Sequence, residues 1–179
     1  MKKLKKFWKK IKDKGKRINL SSPFKLSKPL NIGVIGAGIQ ASRLVGQVID
    51  AGGKIVAVHD VKTEAAQKLA NLSDSNLSTT NLDEFFDVPM DGLLLCSIPT
   101  VRVEPIKRAC DKKIHLLIEK PAAHNLKTGQ KCLDYIEKAD VISSVGFQFR
   151  YEPRYEKLKQ LIEGQEIHLV RTKLTVNLY

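Results

Sequence analysis

The chain has 179 residues and a formal net charge of +12, from 31 basic and 19 acidic side chains. Twelve of the basic residues but only one acid, Asp13, fall within residues 1–30, so the other 149 residues carry 19 of one sign and 18 of the other. A nucleic-acid-binding fold would need its positive face within the folded part, so nucleic acid is not an expected partner. Hydrophobic content of 42% suffices for a core and argues against wholesale disorder. No apolar run is long enough to span a membrane, and lysines interrupt the N-terminus where a secretory signal would need a continuous apolar stretch. The three cysteines, Cys96, Cys110 and Cys132, have no metal-ligand spacing. Their odd number and apolar surroundings predict buried thiols in a reducing cytoplasm.

In chain order, residues 1–16 come first. Leu4, Phe7, Trp8 and Ile11 form one apolar stripe on a helix, with lysines around the rest. A basic amphipathic helix reads as a membrane-surface element drawn to anionic lipid. A solvated tail, a calmodulin-like target helix and non-specific nucleic-acid contact are the other readings of the same pattern. Residues 17–29, with Ser21, Ser22, Pro23, Ser27 and Pro29, read as a linker.

From Leu30 the chain alternates short apolar runs with helix-period stretches. The runs are Leu30–Ile35, Ile55–Val58, Gly92–Ile98, Ile114–Ile118 and Val141–Phe147. None shows strict polar alternation, as expected of strands covered on both faces. Helices are predicted over Ile39–Ala51, Thr63–Leu72, Val101–Asp111 and Leu126–Ala139, the last with Asn125 as its N-cap. A weaker strand at Leu77–Thr79 precedes a short helix at Leu82–Phe86. The expected fold is α/β, a Rossmann-type doubly wound parallel sheet over residues 30–150. Residues 151–179 read as the start of a second domain, a helix at Tyr151–Gly164 and an alternating strand at Glu166–Tyr179.

The clearest motif is Gly36-Ala37-Gly38-Ile39-Gln40-Ala41, a G-x-G-x-x-A run between a strand and a helix. Gly36 permits a tight turn, Gly38 lets a pyrophosphate approach the backbone, and Ala41 allows close helix–strand packing. The helix start offers free N–H groups and a partial positive charge. The second strand ends near Asp60, where a carboxylate can accept bonds from ribose hydroxyls and repel a 2′-phosphate. Asp60 therefore favours NAD, while Lys62 and Lys68 nearby keep NADP open. His59 is either an adenine-pocket residue or an ordinary neutral strand-end histidine.

The strand Ile114–Ile118 runs into Glu119-Lys120-Pro121. Carboxyl ends of strands line the ligand crevice in such sheets, so Lys120 falls where a cofactor's reactive ring would lie. A lysine there can hydrogen-bond a substrate hydroxyl and tune its proton transfer. Pro121 fixes the turn, and a cis Lys120–Pro121 bond is one of its two available forms. Taken alone, the tripeptide reads equally as a surface lysine before a loop proline.

Four segments together carry a family resemblance. Gly33-Val34-Ile35-Gly36-Ala37-Gly38, Ser97-Ile98-Pro99-Thr100, Glu119-Lys120-Pro121 and Val145-Gly146-Phe147-Gln148-Phe149-Arg150-Tyr151-Glu152-Pro153 have the order and spacing of the Gfo/Idh/MocA oxidoreductases. Glucose-fructose oxidoreductase and inositol dehydrogenase typify that family. The resemblance covers about residues 30–179. It implies hydride transfer between NAD or NADP and a carbon of a sugar, cyclitol or related compound. It implies that Lys120 positions and polarises the reacting hydroxyl. With the glycine loop and Asp60 read above, the expected cofactor-bordering residues are Gly36, Ala37, Gly38, Ile39, Gln40, Asp60, Ser97, Pro99, Glu119, Lys120 and Arg150, the roles of Glu119 and Arg150 being what the resemblance implies, and no metal site is expected.

The sequence departs from the family in two places. Val103 stands where members commonly carry a His, four positions after the Pro99 position. The family's large C-terminal sheet, with its later Asp and His, is represented only by residues 151–179. The expectation is a cofactor half that needs the remaining sheet for activity, from a second polypeptide or by pairing with a second copy. A catalytically silent dinucleotide-binding module tethered by its basic helix is the alternative.

Overall fold

The computed structural model describes residues 28–171 and 173. The readings of residues 1–16 as a membrane-seeking helix and of most of 17–29 as a linker lie outside the described residues. The chain divides into two compact units, Met1–Gly146 and Phe147–Tyr179.

In the first unit, strands and helices alternate as β1 (Asn31–Ile35), α1 (Ile39–Asp50), β2 (Lys54–His59), α2 (Thr63–Ser73), β3 (Leu77–Thr79), α3 (Leu82–Asp87) and β4 (Gly92–Leu95). A 3-10 turn at Pro99–Val101 leads into α4 (Val103–Asp111), then β5 (His115–Ile118), α5 (Leu126–Ala139) and β6 (Ser143–Val145). The six strands form one sheet in the order β3-β2-β1-β4-β5-β6, and every adjacent pair is parallel. This is the doubly wound arrangement expected. The strand order reverses between β1 and β4, so their carboxyl ends flank a crevice.

Parallel pairing requires a crossover after each strand, and the helices bury both faces. One apolar cluster joins Val34, Ile55, Val58 and Leu94 to Val45 of α1 and Leu69 of α2. The other joins Ile35, Leu93, Leu95, Leu116 and Ile118 to Phe85 and Phe86 of α3 and Ile106 of α4. The near-continuous apolar runs of the sequence are these two-faced strands. Helix ends also follow their local chemistry. Asn125 accepts from the Thr128 N–H at 2.9 Å, and the Thr128 hydroxyl oxygen accepts from the Asn125 N–H at 3.2 Å, a reciprocal capping box. At the other end of α5, Asp140 takes the left-handed conformation with φ 52°.

The second unit begins with a 3-10 turn at Gln148–Tyr151, then α6 (Pro153–Ile162) with proline in its first turn. The Phe149 and Tyr155 rings lie 6.3 Å apart, and Arg154 pairs with Glu152. The alternating pattern after Glu166 predicted a strand, but residues 166–171 form none. A strand is held by ladder bonds to a neighbour, and among the described residues none pairs with this segment. The rest of that predicted strand, apart from Lys173, lies outside the described residues.

Among the described residues, no helix is long and apolar enough to cross a membrane. The Asn125 cap should be worth about 1 kcal/mol. Asn125→Ala is expected to lower unfolding free energy by that amount in urea titrations while leaving the transition slope unchanged.

Candidate dinucleotide site

The carboxyl ends of β1, β2, β4 and β5 meet at the crevice. β1 turns sharply at Gly36, whose φ of +90° is costly for any residue with a side chain. Its N–H donates to the His59 carbonyl at 2.8 Å, and a Cβ at Gly36 would sit 2.5 Å from the Ser97 nitrogen. Glycine is thus required to let β1 and β4 close against each other. At Gly38, the N-cap of α1, a Cβ would meet nothing within 4 Å. The space in front of Gly38 is open, and α1 begins there without a side-chain cap. An anion can approach this helix start closely, with the N-terminal dipole behind it. Ala41 is fully buried against the sheet, as the motif requires.

Asp60 clamps the loop from the end of β2. Its Oδ2 accepts from the Ala37 N–H at 2.7 Å and its Oδ1 from the Lys62 N–H at 2.9 Å. The sequence identified Asp60 as a ribose acceptor, but its role in shaping the glycine loop was not visible there. A carboxylate oxygen has two lone pairs, so both oxygens retain an acceptor site for ribose hydroxyls.

The Glu119-Lys120-Pro121 turn faces the same crevice. Glu119 is buried, with Oε1 accepting from Gln40 Nε2 at 3.0 Å and Oε2 from the Lys120 N–H at 3.0 Å. Gln40 therefore links the first turn of α1 to the turn after β5. Lys120 is exposed, and the Lys120–Pro121 bond is cis. Pro99 opens the 3-10 turn after β4. Ile39 is 78% exposed at the start of α1. Arg150 belongs to the second unit, where its guanidinium lies 6.0 Å over the Tyr151 ring.

A cleft of about 420 Å³ opens between these strand ends, walled by Val61, Leu82, Ile98 and Val101, with His59, Asp60 and Ser97 also lining it. Ser97 Oγ and His59 Nδ1 are buried without a hydrogen-bond partner. Buried polar atoms are almost always paired, so these two are exceptions, and both residues line this cleft. The open approach to Gly38 and the apolar walls fit a dinucleotide. Cys96 also borders the cleft. Burial, with Glu119 reinforcing it, pushes its thiol pKa up to about 12. It is therefore an inert structural thiol, and Cys110 and Cys132 are likewise shifted up by burial.

Arg102 was passed over in the sequence. It is 2% exposed, and its guanidinium donates to the carbonyls of Ser97, Glu119 and Pro121. One cation thus ties the turn after β4 to the turn that carries Lys120. Desolvation lowers its pKa, countered by the acidic groups of Cys96 and Glu119. The available signal was positional. A cation in the entry turn of α4 opposes the helix dipole, so an arginine there needs another reason.

The fold and loop define a dinucleotide-binding α/β domain, and comparison with known proteins narrows the class. Residues 30–147 match the Gfo/Idh/MocA model, described as an oxidoreductase family with an NAD-binding Rossmann fold. The chain belongs to this family. It is 30% identical over 152 residues to the uncharacterized oxidoreductase YrbE of Bacillus subtilis, covering 82% of this chain and 44% of that protein. It is 29% identical over 150 residues to the myo-inositol 2-dehydrogenase of Thermotoga maritima, covering 79% of this chain and 44% of the relative. The WlbA dehydrogenase of Bordetella pertussis, solved with NADH and UDP-GlcNAcA, has the same fold. It superposes with a TM-score of 0.71 at 19% identity over 76% of this chain and 42% of its own. The chain spans less than half the length of these relatives.

Arg102→Met should leave the buried Glu119 carbonyl and the part-buried Ser97 and Pro121 carbonyls without this donor, at a cost of about 2 kcal/mol in urea unfolding. Arg102→Lys should recover part of that loss. The folded chain should also resist iodoacetamide at Cys96 at pH 8, because its thiol stays protonated far above that pH. The same cysteine in the unfolded chain should alkylate readily, and peptide mass spectrometry would report both.

Proposed function

We propose that this chain is the cofactor-binding part of an NAD(P)-dependent oxidoreductase. Its reaction would move a hydride to or from a hydroxyl-bearing carbon of a sugar, cyclitol or related compound. The observation that carries this reading is the pairing of two structures at one crevice. The Gly36–Gly38 loop, braced by Asp60, lies on one side. The Glu119–Pro121 turn, joined to α1 through Gln40 and Glu119, lies on the other. Gly36, Ala37, Gly38, Ile39 and Gln40 would cradle the pyrophosphate. Ser97, Pro99 and Glu119 would border the rest of the cofactor. The nicotinamide ring would accept or give the hydride. Lys120 would hold the substrate hydroxyl and take part in moving its proton. The names of the relatives, an inositol dehydrogenase among them, support a polyhydroxylated substrate. Free thiols among the described cysteines fit a reducing compartment such as the cytoplasm.

NAD is the preferred cofactor in this reading. The Asp60 carboxylate stands at the end of β2, beside the glycine loop, and a 2′-phosphate would meet its charge there. Calorimetric titration is expected to give saturable heat with NAD and binding at least about tenfold weaker with NADP, a difference of about 1.4 kcal/mol. Asp60→Asn keeps an acceptor for the Ala37 N–H but removes the charge, so it should narrow the gap. Absence of saturable heat with either nucleotide at millimolar concentration would overturn the proposal.

A further inference from the structure

At the end of the sheet opposite the crevice, a groove of about 410 Å³ runs across the amino ends of β1, β4 and β5. Its walls include Leu30, Ile32, Met90, Leu94, Leu117 and Ile142. The helices on this face of the sheet, α1 and α2, both pack on β2. Those of the other face, α3, α4 and α5, belong to the second apolar cluster. Over β5 and the start of β6 the groove side is therefore left open. Leu117 is only half-buried there, and Ile142 is 73% exposed. Ile142 is nonetheless held in place, because its N–H donates to His115 Nδ1 at 3.1 Å. A fixed apolar groove open to water is a surface shaped for a partner.

The way the chain enters the sheet says which partner. The Leu30 carbonyl accepts from the Lys54 N–H at 2.8 Å, so Leu30 is already fixed beside β2 while its side chain walls the groove. Two residues earlier the chain bends at Lys28. The preceding segment thus leaves from the mouth of the groove. Leu26 and Phe24, with Lys25 between them, lie four and six residues before Leu30, just outside the described residues. Four to six extended residues reach about 14 to 21 Å, enough to lay both side chains along the groove. The tether also keeps their local concentration far above that of any separate molecule. We propose that Phe24 and Leu26 fold back into this groove and root the N-terminal arm at the amino end of the sheet. β1 runs from the groove to the glycine loop, so the rooted arm is held at the end away from the crevice. A free linker of thirteen residues would wander about 20 Å and bring the lysines of residues 1–16 within reach of anions bound there. The proposal does not depend on the dinucleotide reading above.

The test is NMR of the full chain with labelled isoleucine, leucine and methionine methyl groups. The chain has two methionines, and Met90 is the one that lines the groove. Nuclear Overhauser contacts are expected from the Phe24 ring to the methyls of Leu117 or Ile142, and Phe24→Leu should abolish them. Replacing both apolar residues, Phe24→Ser with Leu26→Ser, should shift the Met90 methyl signal, whereas Phe7→Ser should leave it in place. The dispersed methyl signals of the buried core report in the same spectra that each variant is folded. No contact from Phe24, or a Met90 signal that the double replacement leaves unmoved, would overturn the proposal. Contacts between a labelled and an unlabelled chain in a mixed sample would seat a second copy's segment in the groove, and would overturn it as well.

Discussion

The crevice depends on one buried cation. The turns after β4 and β5 both end with carbonyls directed into the protein, at Ser97, Glu119 and Pro121, and Arg102 donates to all three. Without that donor the buried Glu119 carbonyl would be desolvated and unpaired, and the tie between the two turns would be lost. A guanidinium suits the task because it presents several donors in one rigid plane and stays charged when its pKa is depressed. Lysine, with one charged nitrogen on a flexible stem, could reach only part of the set. Lys120 sits between two of the tethered carbonyls in sequence, so its backbone is fixed by a residue eighteen positions earlier.

On the other side of the crevice a carboxylate does the equivalent work. Asp60 grips the N–H of Ala37, within the glycine loop, and that of Lys62, at the start of α2. Glu119 then joins the two sides through Gln40. The apolar sheet beneath sets the spacing of the strands but cannot orient the loops, because dispersion contacts are not directional. Three polar side chains, Asp60, Arg102 and Glu119, supply that orientation. Each uses oxygen or nitrogen atoms that would otherwise be costly to bury.

Local chemistry decided how much of this was legible in the sequence. The bounds of α5 could be read at both ends, because Asn125, with Thr128 three residues on, starts the helix with purely local bonds. The glycine loop could be read because its requirements, a tight turn and an open approach, are properties of single residues. The start of α4 was placed too early, at Val101, because Pro99–Val101 forms a 3-10 turn that shares the helical apolar spacing. The burial of Arg102 could not be read at all. Its partners include carbonyls 17 and 19 residues away, brought near only by the crossover through α4 and β5. The alternating residues after Glu166 are the converse case. Their pattern describes a strand, but a pattern has no ladder bonds of its own.

The treatment of buried polar groups separates architecture from site. Ser73 donates to the Leu69 carbonyl at 2.8 Å, and Thr79 donates to Glu84 at 2.5 Å. Glu119 and Arg102 are buried and bonded through their side chains. Among the described residues, the buried side-chain atoms left without a partner are Ser97 Oγ and His59 Nδ1, and both residues border one cleft. Random defects of packing would not be expected to fall together at the carboxyl end of a parallel sheet, where β1 and β4 part. Both atoms lie behind the wall of the cleft, not on its open surface. The same position is the one the strand order alone assigns to a bound nucleotide. Topology and hydrogen-bond accounting are independent arguments, and they meet at the same few residues.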